Sequence, residues 1–338
     1  MIFEEKLIKN NQIIENKENS RLILAPMQGL CDDPMRDLLT RIGGFDECVS
    51  EFVRITHTIH SRATWLRYVP EIANQNRTFS GVPCTTQILG SDPDIMATNA
   101  LEAVRFGVTA IDLNFGCPAP TVNKHQGGAV LLKEPERVYQ ITKTLRERLP
   151  ENITLTGKMR LGFENTDLAL ENAAAIANGG ASVLTVHART KVEGYEPPAH
   201  WGWVRTIRES VSIPVVANGD VFTLQDYIDI REASGCDDVM IGRGAVIRPD
   251  LARQIKQYLR GESVQAATFN EEIMDWIRLF FDLCFAKEPN GKYAVARLKQ
   301  WFGMMKKAYP EAQQLFDAIR ILREADEIRE VLHSFQAA

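Results

Sequence analysis

The sequence predicts an α/β fold: a (β/α)8 TIM barrel followed by a small C-terminal helical bundle. Three observations carry this. Eight short β-rich runs alternate with helical patterns between residues 22 and 242, each run ends in glycine or polar residues, and beyond about residue 250 the strand pattern stops. Strands alternating with helices over such a span argue for a closed parallel barrel. The competing architecture, an open doubly wound sheet, is weakened because no Gly-x-Gly-x-x-Gly turn follows the first run.

The runs are Leu22–Pro26, Cys48–Val53, Pro83–Leu89, Ala110–Asn114, Ile153–Lys158, Ser182–His187, Pro214–Asn218 and Asp238–Gly242. They are short, apolar and bounded by turn residues, as barrel strands are. Between them Asp94–Phe106, Pro135–Leu149, Leu168–Asn178 and Leu224–Ala233 carry apolar residues at helical spacing. The same spacing governs Asn270–Leu283, Tyr293–Ala308 and Glu311–Phe335, punctuated by Pro289-Asn-Gly291 and Pro310. The expected division is an N-terminal extension over 1–20, a barrel over 21–252 and a helical domain over 253–338.

Composition narrows the function classes. With 45% hydrophobic and 25% charged residues, the 338-residue chain can bury a large core. A net charge of −5 offers no global attraction to nucleic acid, so any basic surface must be local. The six cysteines are scattered, without a Cys-x-x-Cys pair or clustered histidines. That argues against zinc and against disulfides, and fits a reducing cytoplasm. No apolar run approaches membrane-spanning length, and the first twenty residues lack the apolar core of a signal peptide. A monomer without metal is expected.

A barrel builds its site at the carboxyl ends of its strands. There the runs place Pro26, Met27 and Gln28; Glu51 and Arg54; Gln87 and Gly90; Asn114 and Cys117; Lys158 and Arg160; His187 and Arg189; Asn218, Gly219 and Asp220; Gly242, Arg243 and Gly244. Any one is an ordinary loop residue, but eight polar ends together describe one binding mouth. The glycine-rich seventh and eighth ends suit a phosphate held by backbone N–H groups, with Arg243 adding charge. Lys158 and His187 suit negative charge on a planar ring, and Gln87 and Asn114 offer amide hydrogen bonds. A phosphate beside such a ring describes flavin mononucleotide, FMN. For Lys158 the alternative is an ion pair closing the barrel top; for His187 it is a satisfied buried hydrogen bond. In Asp112-Leu-Asn-Phe-Gly-Cys-Pro118, Gly116 is expected to permit a tight turn and Pro118 to stiffen it, holding Cys117 at a strand end. A structural cysteine in a turn is the alternative.

Ala25-Pro-Met27, Gln87-x-x-Gly90, Asp112–Pro118, Lys158-Met-Arg160, Val186-His-Ala-Arg-Thr190, Asn218-Gly-Asp220 and Ile241-Gly-Arg-Gly244 together resemble the tRNA-dihydrouridine synthases. Glu51-Phe-Val-Arg54, Arg189–Tyr195 and Val295–Trp301 resemble the bacterial C-type branch, which reduces uridine 16 of the tRNA D-loop. Ala188 departs from the more frequent glycine, and the extension is not typical. The resemblance implies FMN held by Pro26, Met27, Gln28, Gln87, Lys158, His187, Asn218, Gly219, Asp220, Gly242 and Arg243, with NADPH or NADH as reductant. It also implies Cys117 as catalytic acid. Chemistry agrees: saturating the uracil C5=C6 bond needs a hydride at C6 and a proton at C5, and a thiol near its ordinary value of about 8.5 is protonated at neutral pH yet able to give its proton.

Between Lys287 and Pro310 six bases face one acid, Glu288. The bland reading is a solvated helix face. The functional one is a phosphate-binding surface, with Lys292, Arg297 and Lys299 on the tRNA body, the uridine swung into the barrel, and Asn114, Arg54, Arg160 and Arg189 meeting the substrate strand at the rim. Two other functions compete: a flavin barrel reductase of a free pyrimidine or enone, and a non-catalytic tRNA-binding protein.

Overall fold

The computed structural model describes residues 20–335; apart from Ser20, the expected N-terminal extension lies outside the described residues. The strands are β1 (Leu22–Leu24), β2 (Glu47–Val49), β3 (Val53–Arg54), β4 (Cys84–Leu89), β5 (Ala110–Phe115), β6 (Thr154–Gly162), β7 (Val183–Thr190), β8 (Val215–Asn218) and β9 (Val239–Ile241). Every pairing between them is parallel; β1 joins both β2 and β9, while β2 and β3 both join β4. The sheet therefore closes into eight staves, the second split in two. The single strand expected over Cys48–Val53 is interrupted, and Ser50 shows how. Its N–H still donates to Thr85 O at 2.9 Å, but its hydroxyl accepts the Gln87 N–H at 3.0 Å and donates to Glu51 O at 2.9 Å. The chain then leaves the ladder for Glu51 and Phe52.

Period-two alternation sorts each strand. Leu22, Leu24, Ile111, Leu113, Leu184, Val186, Val239 and Ile241 join the large apolar cluster shared with the surrounding helices. Ile23, Ala25, Val49, Val216 and Met240 form a separate small cluster inside the barrel. The remaining interior positions are polar: Gln87, Asp112, Thr185 and His187 are buried. One half of the interior is thus packed with apolar side chains, and the other carries hydrogen-bonding groups toward the strand ends.

The C-terminal region is helical as expected, with helices at Met274–Lys287, Lys292–Met305, Pro310–Ile319 and Ala325–Ser334. The helical stretch expected over Glu311–Phe335 is two helices. At their junction Lys299 Nζ donates to Arg320 O (3.1 Å) and Leu322 O (2.5 Å), filling carbonyls that a helix end leaves open. These helices belong to the same continuous apolar cluster as the barrel's outer shell. Trp301 packs edge-on against Phe280, ring centroids 4.9 Å apart, and its indole N–H donates to Val246 O at 2.9 Å. Burying Phe280 fully contributes about 1.5–3 kcal/mol.

A polar anchor adds to this. Arg297 Nη1 donates to Gly29 O (3.1 Å), and Nη2 donates to Leu30 O (2.8 Å) and Asp32 Oδ1 (2.9 Å). The Tyr293 hydroxyl also donates to Asp32, Gln300 Nε2 to Gly29 O at 2.9 Å, and Lys287 pairs with Asp33. The helices thus grip the loop that follows β1.

Candidate active site

Cys117 sits just past β5, half-buried, while Cys31, Cys48, Cys84, Cys236 and Cys284 are buried. Its loop is built by side-chain amides. Asn114 Oδ1 accepts the N–H groups of Gly116 and Cys117, both at 2.9 Å. Asn123 Nδ2 and Ala129 N–H donate to Cys117 O at 2.9 and 3.1 Å. The glycine that this loop demands is Gly128, not Gly116. A β-carbon on Gly116 would meet nothing closer than 3.5 Å, whereas Gly128, at φ +67°, would drive one to 2.8 Å from Cys117 O. Burial raises the thiol above its ordinary value, opposed by the Ala119 N–H and the charges of Arg160 and Arg54. At neutral pH Cys117 is therefore a protonated thiol.

Cys117 opens into a cavity of about 570 Å³ at the carboxyl ends of the strands. Pro26, Met27, Gln28, Gln87, Asn114, Lys158, Arg160, His187, Asn218, Gly219, Asp220, Gly242 and Arg243 all line it. Lys158 Nζ donates to Asn218 Oδ1 at 3.0 Å, and Asn218 Nδ2 to Met240 O at 2.8 Å. Burial, aided by Arg160, pulls the Lys158 ammonium down to about 8 while Asp112 opposes. Burial and the surrounding Arg160, Lys158, Arg189 and Arg243 push His187 well below the ordinary histidine value, leaving it neutral. The cavity wall is cationic and donor-rich.

At the β8 and β9 ends, Gly219 has φ +128°. A β-carbon on Gly244 would lie 1.8 Å from Val221 O, so the two loops pack backbone to backbone only through glycine. Gly242, Arg243 and Gly244 stand at the start of a short helix, Arg243–Ile247, whose first N–H groups have no partner within the helix. Arg243 stands beside them, its guanidinium 3.5 Å from Asp220 Oδ1 and 4.5 Å from the Tyr195 ring centroid. N–H groups at a helix start beside a guanidinium suit a phosphate.

The three arginines expected at the rim take different positions. Arg189 is buried, donating to Asp220 Oδ1 at 2.9 Å and to Glu196 O at 2.6 Å. It braces the β7 and β8 ends and is not among the residues that line the cavity. Arg160 is also buried but lies in the cavity wall, donating to Gly116, Thr190 and Gly194 carbonyls at 2.9 Å each. Arg54 is half-buried and close enough to bias the Cys117 thiol. Arg297 and Lys299, expected on phosphates, are engaged within the protein as described above; Lys292 is exposed. The sequence reading missed Phe222 and Met304 as cavity residues, and gave no cavity role to Phe52 and Tyr195 although both lie in motifs it quoted. No local pattern marks Phe222 or Met304, which lie in separate segments.

A cationic, donor-lined cavity at the carboxyl ends of a closed parallel barrel is the arrangement of a (β/α)8-barrel enzyme. Which one is shown by similarity. Residues 23–335 match the sequence model of the Dihydrouridine synthase (Dus) family, and the chain belongs to that family. It is 69% identical over 327 residues to the tRNA-dihydrouridine(16) synthase of Neisseria meningitidis serogroup A, covering 97% of this chain and 98% of that one. The protein of the same name from Aquipseudomonas alcaligenes is 49% identical over 312 residues, covering 92% and 98%. Among solved structures, TcOYE with pHBA superposes at a TM-score of 0.50 with 12% identity, covering 71% of this chain and 89% of the other, a likeness of fold alone. Among the described residues no helix is long and apolar enough to cross a membrane, and no cluster of ligands could hold a metal ion.

Proposed function

We propose that this protein reduces uridine 16 of tRNA to 5,6-dihydrouridine, with FMN in the barrel mouth and NADPH or NADH as reductant, and that it works as a cytoplasmic monomer. The observation that carries the reading is a protonated, half-buried thiol opening onto the same cavity as the glycine cradle and Lys158. The names of the relatives supply the substrate.

In this reading Gly219 and the N–H groups at the helix start Gly242-Arg243-Gly244, with the Arg243 guanidinium, hold the phosphate. Pro26, Met27, Gln28, Gln87, Lys158, His187, Asn218 and Asp220 surround the ring. Bound there, FMN supplies the hydride for C6 of uracil. Cys117 gives its proton to C5 from the opposite face, and the Asn114 amide fixes the backbone from which the thiol projects. Arg160 and Asn114 border the substrate position. Lys158 in its charged form favours negative charge on the ring beside it.

That charge is lost as pH rises through about 8. Anaerobic flavin reduction by NADPH should therefore decline above that pH, and Lys158→Met should remove the descending limb. A limb unchanged in Lys158→Met would assign it elsewhere. Stability moves the other way: the unfolded chain holds the lysine proton more tightly, so deprotonation between about 8 and the ordinary lysine value favours the fold.

The helical unit, residues 253–338, is assigned to the tRNA body. With Arg297 and Lys299 committed inside, the phosphate ligands are the exposed Lys292, Lys306 and Lys307. Reversing Lys292 and Lys307 to glutamate should lower the salt slope of tRNA binding by about two, since each lysine releases roughly one counterion. An unchanged slope would place the tRNA on another face.

Anaerobic reoxidation tests the whole reading. Reduced protein mixed with tRNA lacking dihydrouridine should reoxidise rapidly, while free uridine and tRNA without uridine at position 16 should not. Equal reoxidation by free uridine would favour a small-molecule reductase. A protein that binds tRNA but takes up no flavin would be a binding protein only.

A further inference from the structure

Asp112 is 3% exposed, at the centre of a polar rung inside the barrel. It is in register with Gln87 of β4 on one side and Thr156 of β6 on the other. Its two carboxylate oxygens are both used: Oδ1 accepts the Thr156 hydroxyl at 2.6 Å and Oδ2 accepts Gln87 Nε2 at 2.7 Å. Branched aliphatic side chains ordinarily fill such a layer, and a buried carboxylate there carries a desolvation cost. It does not line the cavity, so it does not touch what binds there.

The hydrogen bonds run onward in one direction. A carboxylate can only accept, so Gln87 must turn its NH2 toward Asp112 and its carbonyl oxygen away. That oxygen, Oε1, accepts Asn114 Nδ2 at 2.7 Å. Asn114 is thereby held with its own oxygen on the Gly116 and Cys117 N–H groups. Each amide has one permitted orientation, set from one end by the Asp112 carboxylate and matched at the other by the Gly116 and Cys117 N–H groups. Both NH2 groups retain a second hydrogen, and both residues line the cavity.

We propose that Asp112 is a positioning residue: acting through Gln87 and Asn114, it fixes the amide orientations that hold the Cys117 loop in place and present N–H donors to the cavity. This rests on the reading of Cys117 as the proton donor only for its consequence in turnover; the relay itself concerns the protein alone.

The test uses the thiol as reporter. Since the other five cysteines are buried, Cys117 should be the first to react with iodoacetamide in the full-length protein. Asp112→Asn, close in shape but able to present a donor or an acceptor, should raise its alkylation rate about tenfold, the worth of one lost loop hydrogen bond. Asn114→Ala should do the same, and Asp112→Asn added to Asn114→Ala should change nothing further, because residues in one relay are not additive. With tRNA, Asp112→Asn should lower kcat about tenfold with KM unchanged. Additive alkylation rates in the double variant, or a rate in Asp112→Asn equal to the parent, would overturn the relay. Should Asp112→Asn fail to fold, Gln87→Ala cuts the same relay at its middle and must give the same alkylation increase. A fast-reacting Cys117 in Asp112→Asn with tRNA turnover absent even in the parent would uphold the relay and remove the proposed reaction instead.

Discussion

Cys117→Ala should retain flavin and accept electrons from NADPH, yet lose tRNA-dependent reoxidation by about 10²–10⁴-fold, the usual contribution of a positioned general acid. The separation of the two half-reactions is what makes the result diagnostic. In the proposed arrangement the flavin meets groups at the ends of β1, β4, β6, β7, β8 and β9, while the thiol stands on the β5 loop. Cys117→Ser should be nearly as impaired, because a hydroxyl is a far weaker acid than a thiol that burial has already raised. Unlike a nucleophilic cysteine, this one should show no gain from conditions that favour thiolate: reoxidation should fall, not rise, as pH passes above the thiol's elevated value. Stopped-flow absorbance at each pH measures both. Full reoxidation by the alanine variant would remove Cys117 from the mechanism.

Arg297→Ala should destabilise the protein by about 3–5 kcal/mol, the cost of breaking a buried ion pair and leaving its partner charged and unmatched. Asp32 is the stranded charge, and the Gly29 and Leu30 carbonyls lose their donors in the same stroke. Because Gly29 N–H is held by Glu51 and Met27 and Leu30 line the cavity, flavin affinity should fall together with stability. Arg297→Met combined with Asp32→Asn should recover part of the loss, since both charges are then gone. By contrast Lys292→Ala, on the exposed face, should stay within about 0.5 kcal/mol of the parent. Thermal unfolding and flavin titration read these outcomes. An Arg297→Ala protein of unchanged stability whose tRNA binding lost salt dependence would return Arg297 to the phosphate-ligand role expected from its sequence context.

Arg297 and Arg189 show where sequence reading stops. Arg297 lies in a run of six bases and one acid, and a linear charge count cannot tell a side chain that faces solvent from one that turns inward. Asp32, its partner, is 265 positions away. Arg189 and Asp220 repeat the lesson, both at strand ends yet spent on each other. Gly116 and Gly128 show it for backbone: the motif drew attention to the first, but the close approach occurs at the second.

What the sequence determined by itself was whatever local chemistry dictates. Short apolar runs bounded by turn residues marked the strands, and parallel strands place their carboxyl ends together, so Gln87, Asn114, Cys117, Lys158, His187 and the β8 and β9 glycines could be named before any fold was seen. The tertiary structure alone decided which polar groups remain available. It closed the barrel through β1, β2 and β9, broke the second stave at Ser50, and locked the helical unit onto the β1 loop. It also brought Asp112 to Gln87 and left Lys292 free where Arg297 is not. The physical reason is that hydrogen bonding and burial are properties of pairs, and the pairs that matter here are remote in the chain.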